Sequence, residues 1–187
     1  MNKAVFLDRD GTINNNNDII DKPKELRILP GVLSAVKKIN HLGFLAVIIT
    51  NQAVIGKGSW KKKEVDRVHA MLVRKMKKHG AKIDAIYYCP HHPEAKLKRY
   101  RLECDCRRPN IGLLLRAMRR FHIDPRESFS VGDMTRDILA GKRAGTKTIL
   151  VKTGFAGKDK KYRVEPDFIA KDLLAAVKII EKNARKN

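Results

Sequence analysis

Val5-Phe6-Leu7-Asp8-Arg9-Asp10-Gly11-Thr12 is an apolar run that ends in two carboxylates one residue apart, a glycine and a hydroxyl. Residues i and i+2 of a strand share a side, so Asp8 and Asp10 are expected to face one site. Two carboxylates that close repel each other unless a cation or a shared proton relieves them. The stretch therefore reads as a place for a hard divalent metal and acyl-phosphate chemistry. The plainer alternative is a strand ending in a polar turn, since Asp-Gly is a common turn pair.

Outward from this stretch, hydrophobic runs and helical spacings alternate. Residues 3–7 read as a buried first strand, and 13–18 as a polar loop without period. Pro30-Gly31 opens a helical face of Val32, Leu33, Val36, Ile39 and Leu42, which Gly43 closes. Residues 44–49 are apolar throughout, the mark of a central strand buried on both faces. That strand runs into Thr50-Asn51-Gln52 at the carboxyl edge, where open α/β sheets bind ligands. Gly56-Lys57-Gly58 reads as a flexible basic loop. Ser59 is predicted to cap a helix over 60–78, with Val65, Val68, Leu72 and Met76 as its core stripe. His69 and His79 read as isolated residues at the surface or core edge. Further strands are expected at 83–88, 129–133, 148–151 and 168–169. Helices are expected from Ile111 to near Phe121, at 138–144 and at 173–180, followed by a frayed end over 182–187. This alternation predicts an α/β fold, a three-layer Rossmann-like parallel sheet. No internal repeat or linker divides residues 1–187, so one domain is expected.

At 187 residues and 43% hydrophobic content the chain can bury a core. No apolar run approaches a membrane span and no signal peptide precedes the first strand, so a cytoplasmic protein is expected. The 41 Lys and Arg against 20 Asp and Glu give a net charge of +21, which favours phosphorylated or polyanionic partners. The basic residues are spread along the chain, however, and only 6% of residues are aromatic, with Tyr87-Tyr88 the sole adjacent pair. No stacking platform for single strands stands out, so a solvated basic surface is favoured over a nucleic-acid face.

The helix–strand rhythm breaks over 89–110, a stretch too long to be a featureless loop in a compact domain unless it is functional. All three cysteines lie here, as Cys89-x-His91, twelve intervening residues, then Cys104-x-Cys106. Three thiolates and an imidazole match a closed tetrahedral zinc site. An odd cysteine count argues against disulfides, and the charged neighbours Asp105, Arg107 and Arg108 argue against separate core cysteines. Spacing alone leaves His91 and His92 both open as the imidazole. Zinc would staple a loop that lacks packing of its own and hold Arg107-Arg108 above the acids, where guanidinium forks suit phosphate oxygens.

Asp8-Arg9-Asp10-Gly11-Thr12, Thr50-Asn51-Gln52, Cys89 with Asp105-Cys106-Arg107, and Val131-Gly132-Asp133 resemble the ordered motifs of the haloacid-dehalogenase (HAD) superfamily. More narrowly the chain resembles the D,D-heptose 1,7-bisphosphate phosphatases and the related histidinol-phosphate phosphatases, over residues from about Ala4 to Gly154. The Asp-x-Asp-Gly-Thr motif points only to the superfamily, whereas the zinc loop is far more specific, and its twelve-residue gap favours the heptose branch. The resemblance implies a HAD-like sheet with no large cap domain and a nucleophilic Asp8 that forms an aspartyl-phosphate. Asp10 would act as the acid–base. Mg²⁺ would be held by Asp8, the Asp10 main chain and Asp133. Thr50 and Arg108 would stabilise the phosphoryl group, while Asn51, Gln52, Ala53 and Arg107 would orient substrate. Zn²⁺ would be held by Cys89, His91, Cys104 and Cys106. Asp137 is either a supporting acid or a plain helix acid.

The chain departs from the family pattern at Arg108, where lysine is usual, and at Met134, which stands in place of a lysine. It also departs at Asn15-Asn16-Asn17 and at Val54. The implied activity is Mg²⁺-dependent hydrolysis of a sugar phosphate monoester, with D-glycero-D-manno-heptose 1,7-bisphosphate as first substrate, on a monomer acting on a small phosphorylated molecule. Histidinol phosphate, a nucleic-acid 3′-phosphate and a catalytically weakened binding module are the competing readings.

Overall fold

The computed structural model describes residues 1–15 and 26–184. The expected departure at Asn16-Asn17 and the last residues of the expected frayed end, 185–187, lie outside them. Six strands form one all-parallel sheet: β1 (Ala4–Leu7), β2 (Leu45–Asn51), β3 (Ala85–Cys89), β4 (Phe129–Gly132), β5 (Lys147–Val151) and β6 (Phe168–Ala170), in the order β3-β2-β1-β4-β5-β6. Among the described residues there are six α-helices, α1 (Val32–His41), α2 (Ala53–Gly56), α3 (Lys62–Lys78), α4 (Gly112–Phe121), α5 (Thr135–Arg143) and α6 (Leu173–Ala184), and a 3-10 turn at Lys98–Tyr100.

Strand alternation sorts the core into two layers. Val5 and Leu7 of β1 pack with Val36, Leu72, Met76 and Val177, under α1, α3 and α6. Ala4 and Phe6, on the opposite face, pack with Leu113, Leu114, Met118 and Ala140, under α4 and α5. A strand covered on both faces has no room for polar side chains, which is why β1 is apolar throughout and its first polar residue is Asp8, just past its end.

Chain order reverses between β1 and β4, so their carboxyl ends open a crevice at that point. Phe6 is level with Val47 and with Ser130, and Leu7 with Ile48 and Val131. This register brings Asp8, Thr50 and Asp133 to one edge.

Four elements differ from the sequence expectation, and the first is α6, which continues to Ala184 through residues 182–184 that were expected to fray. α3 starts at Lys62 instead of Trp60, because the Glu64 carboxylate accepts the Lys61 N–H at 2.6 Å and supplies the cap expected of Ser59. The short helix α2 was not anticipated. α5 begins at Thr135, a turn ahead of the first apolar residue of its periodic pattern.

Candidate active site

The Asp8 N–H donates to the Val131 carbonyl at 2.9 Å, fixing Asp8 to the end of β4. Carboxylate oxygens of Asp8, Asp133 and Asp137 lie within 4.8 Å of one another, and all three residues are buried. Two guanidiniums reach this cluster, Arg108 closely and Arg136 with Nε 3.6 Å from Asp137 Oδ1. Arg108, itself buried, donates from Nη2 to Asp8 Oδ1 at 2.7 Å and places Nη1 2.8 Å from Asp137 Oδ1. Three acids facing two guanidiniums still leave negative charge uncompensated. Burial, then the charge of Asp8, pushes the Asp133 carboxyl up to about 8. Burial also raises Asp137, to about 6, even though Arg108 opposes the rise. Asp8 Oδ2 and Asp133 Oδ1 are buried without a hydrogen-bond partner among the described residues. Orphaned carboxylate oxygens converging on one point fit a hard divalent cation. The backbone makes room for them: a Cβ on Gly11 would lie 2.3 Å from Asp133 Oδ2, and one on Gly154 would lie 2.2 Å away.

Asp10 does not join the cluster. Strand alternation would have placed it beside Asp8, but β1 ends at Leu7 and the chain turns through Gly11 at φ +83. Its carboxylate sits in a cradle of donors. Arg9 Nη2 donates to Oδ1 at 2.7 Å and to Oδ2 at 2.8 Å, Asn14 Nδ2 to Oδ1 at 3.0 Å, and Gln52 Nε2 to Oδ2 at 2.9 Å. Burial works to raise the Asp10 carboxyl, but the Arg9 charge and these hydrogen bonds outweigh it and hold the group below the usual aspartate value.

One contact was not anticipated and one sequence reading is corrected here. The Arg9 guanidinium folds back over Asp10. His69 was expected to stand alone; it is buried, with Nε2 3.0 Å from Arg9 Nη1 and its ring 5.2 Å from that of Tyr88. No periodicity signals the pairing of His69 with Arg9, because it is made by a side chain reaching from α3 to the turn after β1.

Thr50 is buried, and its Oγ1 accepts from Gln52 Nε2 at 3.0 Å. The Asn51 amide is engaged within the protein: it donates to the Arg108 carbonyl at 3.3 Å and accepts the Arg108 N–H at 3.1 Å. Ala53 opens α2 at the same edge. Arg107 lines a groove of about 530 Å³ with His92, Met134, Arg136, Lys161 and other residues, Arg108 at its inner end.

The 89–110 loop brings Cys89, His91, Cys104 and Cys106 together, with ligand atoms within 4.8 Å of one another. The Sγ atoms are 3.1 to 3.5 Å apart, and His91 Nδ1 is 3.3 Å from Cys106 Sγ and 3.6 Å from Cys89 Sγ. His92 is turned elsewhere, accepting the Glu94 N–H. These separations exceed the disulfide length of about 2 Å and approach the edge, about 3.8 Å, of a tetrahedron around a zinc–thiolate centre. Burial pushes the Cys89 thiol up to about 11 and raises Cys106 as well, so a bound cation is needed to hold these sulfurs as thiolates. Arg107 Nη1 donates to the His91 carbonyl at 2.9 Å, tying the arginine to the cluster.

Residues 105–176 match the HAD-hydrolase-like family model. The D-glycero-β-D-manno-heptose-1,7-bisphosphate 7-phosphatase of Pasteurella multocida is 41% identical over 155 residues, covering 82% of this chain and 84% of that protein. The chain belongs to the heptose bisphosphate phosphatase family. The Escherichia coli member of this family is 37% identical over 153 residues, 81% of this chain and 80% of its own. Among solved structures, the heptose bisphosphate phosphatase of B. bronchiseptica, complexed with magnesium and phosphate, superposes with a TM-score of 0.85 at 29% identity. The superposition covers 97% of this chain and 99% of that one. The Burkholderia thailandensis family member gives 0.71 at 30% identity, covering 96% and 98%.

Proposed function

We propose that the protein is a Mg²⁺-dependent phosphatase that removes the 7-phosphate of D-glycero-D-manno-heptose 1,7-bisphosphate through an aspartyl-phosphate on Asp8. The observation that carries this reading is the buried cluster of Asp8, Asp133 and Asp137 around Arg108, with an Asp8 oxygen left without a partner.

Asp8 Oδ2 attacks phosphorus while the bond to the sugar oxygen breaks, and Asp10 gives that oxygen its proton. Asp10, now a carboxylate, takes a proton from the water that attacks the aspartyl-phosphate, so phosphate leaves and Asp8 is restored. The donors around Asp10 suit its ionised form, the base of the second step. A phosphate dianion arriving beside it adds negative charge and favours the protonated form that the first step needs. Arg108 and Thr50 neutralise the phosphoryl oxygens as charge shifts onto them. Asp8, Asp133 and the Asp10 main chain would hold Mg²⁺, which when bound screens the phosphate from the Asp8 carboxylate. Arg107 and the groove at its side orient the rest of the sugar. Asn51 and Gln52 act through Arg108 and Asp10, holding each in place, and Ala53 keeps the α2 wall small.

In the same reading Cys89, His91, Cys104 and Cys106 hold a structural Zn²⁺, and residues 1–187 form one domain that works as a cytoplasmic monomer on a small phosphorylated sugar. No helix of the described residues is long and apolar enough to cross a membrane.

The test is phosphate release with Mg²⁺ from heptose 1,7-bisphosphate, histidinol phosphate, other sugar phosphates and a 3′-phosphorylated oligonucleotide. The heptose bisphosphate is expected to give the highest kcat/KM. Asp8→Asn should abolish release without changing thermal unfolding or zinc content. Turnover that survives in this variant refutes the nucleophile.

A further inference from the structure

The mechanism above leaves one buried histidine unused. His69 sits on the inner face of α3, 6% exposed, with contacts that lead toward Asp10 on one side and out to the surface on the other. On one side Arg9 Nη1 lies 3.0 Å from Nε2. Since a guanidinium can only donate, Nε2 is the acceptor and the ring carries its proton on Nδ1. On the other side the ring meets Tyr88, whose hydroxyl donates to Asp66 Oδ1 at 2.6 Å, and Lys62 Nζ closes the series on Asp66 Oδ2 at 2.9 Å. Arg9 is itself buried, and its remaining nitrogens Nε and Nη2 are the ones that grip Asp10.

We propose that His69 is a positioning residue for the acid–base Asp10: by accepting from Arg9 Nη1 it aims the rest of the guanidinium at the Asp10 carboxylate. The inference rests on the role given to Asp10 above. The arrangement requires a neutral ring, and burial, then the Arg9 charge, keeps it so by holding the imidazole down to about 3. Without the acceptor, a buried Arg9 N–H loses the His69 ring as its partner and the guanidinium is free to rotate about its stem. Asp10 then keeps the Asn14 and Gln52 contacts but loses the two-pronged clamp that fixes its plane.

The consequence is chemical and depends on the leaving group. A sugar alkoxide needs the Asp10 proton to depart, whereas p-nitrophenolate does not need it. kcat/KM reports only the steps up to that departure, so it isolates the acid role. His69→Phe preserves volume and removes the acceptor; His69→Gln restores an acceptor oxygen. Asp10→Asn is the control. The Phe variant should lose on the order of ten- to a hundredfold in kcat/KM on the sugar phosphate and less than about threefold on p-nitrophenyl phosphate. The loss should fall on kcat more than on KM, and the Gln variant should recover most of it. Equal losses on both substrates, or no loss on either, overturn the inference. If Asp10→Asn shows the leaving-group preference and His69→Phe does not, only the His69 role fails. If Asp10→Asn lacks the preference, the acid role fails and takes this inference with it. His69→Met asks the same question should the Phe variant not fold.

Discussion

His69 also makes a prediction about stability that needs no substrate. In the unfolded chain its imidazole titrates near 6.5; in the fold, burial and then the Arg9 charge hold it down to about 3. Between those values the unfolded chain binds a proton that the folded one refuses. This contribution to stability is therefore complete above pH 6.5 and drains away as the pH falls toward 3. From pH 8 to pH 5 the loss is about 2 kcal/mol, at roughly 1.4 kcal/mol per unit. The figure hardly changes if the folded value is a unit higher, because the histidine remains neutral at pH 5 in either case. For a chain of 187 residues it corresponds to about 4–8 °C in Tm. His69→Gln has nothing to titrate in this range. Its melting temperature, measured beside wild type at pH 8 and pH 5, should gain on wild type by that amount at the lower pH. Other titrating groups are common to both proteins and cancel in the comparison. A gap between the two that does not change with pH would refute the reasoning.

Arg108→Met removes the cation between Asp8 and Asp137 and should cost about 3–5 kcal/mol in urea unfolding of the metal-free protein, with Mg²⁺ recovering part of it. The same variant should lose about 10²–10³ in kcat. Gly154→Ala drives a Cβ to 2.2 Å from Asp133 Oδ2 at a φ of +58, so Mg²⁺ affinity measured by calorimetry should fall sharply while zinc content is unchanged. Zinc should be found equimolar with the chain by elemental analysis. Its removal by a chelator should lower Tm and expose the 89–110 loop to limited proteolysis, as should Cys106→Ser.

The sheet was readable from sequence because its central strands are buried on both faces, so their hydrophobicity is continuous and nothing competes with that signal. Asp8 and Asp133 were equally legible, each being the first acid after such a strand. Asp10 was found, but strand alternation misplaced its side chain, since the rule that put it beside Asp8 stops applying where β1 does. Asp137 lay undecided between a helix acid and a site acid. Only the fold brings Arg108 to within 2.8 Å of it, from the far end of the zinc loop. The start of α3 was missed because a serine two residues from the true boundary offered a plausible cap, and the Glu64 hydrogen bond that wins is a competition no propensity records. Arg9 and His69 escaped for a deeper reason: a contact between residues sixty positions apart leaves no local pattern.

The paired hydrogen bonds of Asn51 with Arg108 carry one more consequence. The amide grips the carbonyl and N–H of residue 108, much as a neighbouring strand would, and takes no notice of the side chain. The address of the cation beside Asp8 is thus written in main chain, while its chemical identity is left open to drift. That division lets either arginine or lysine occupy the place without the loop having to be rebuilt. It also means that exchanging the two residues leaves the charge at the same address and changes only its shape.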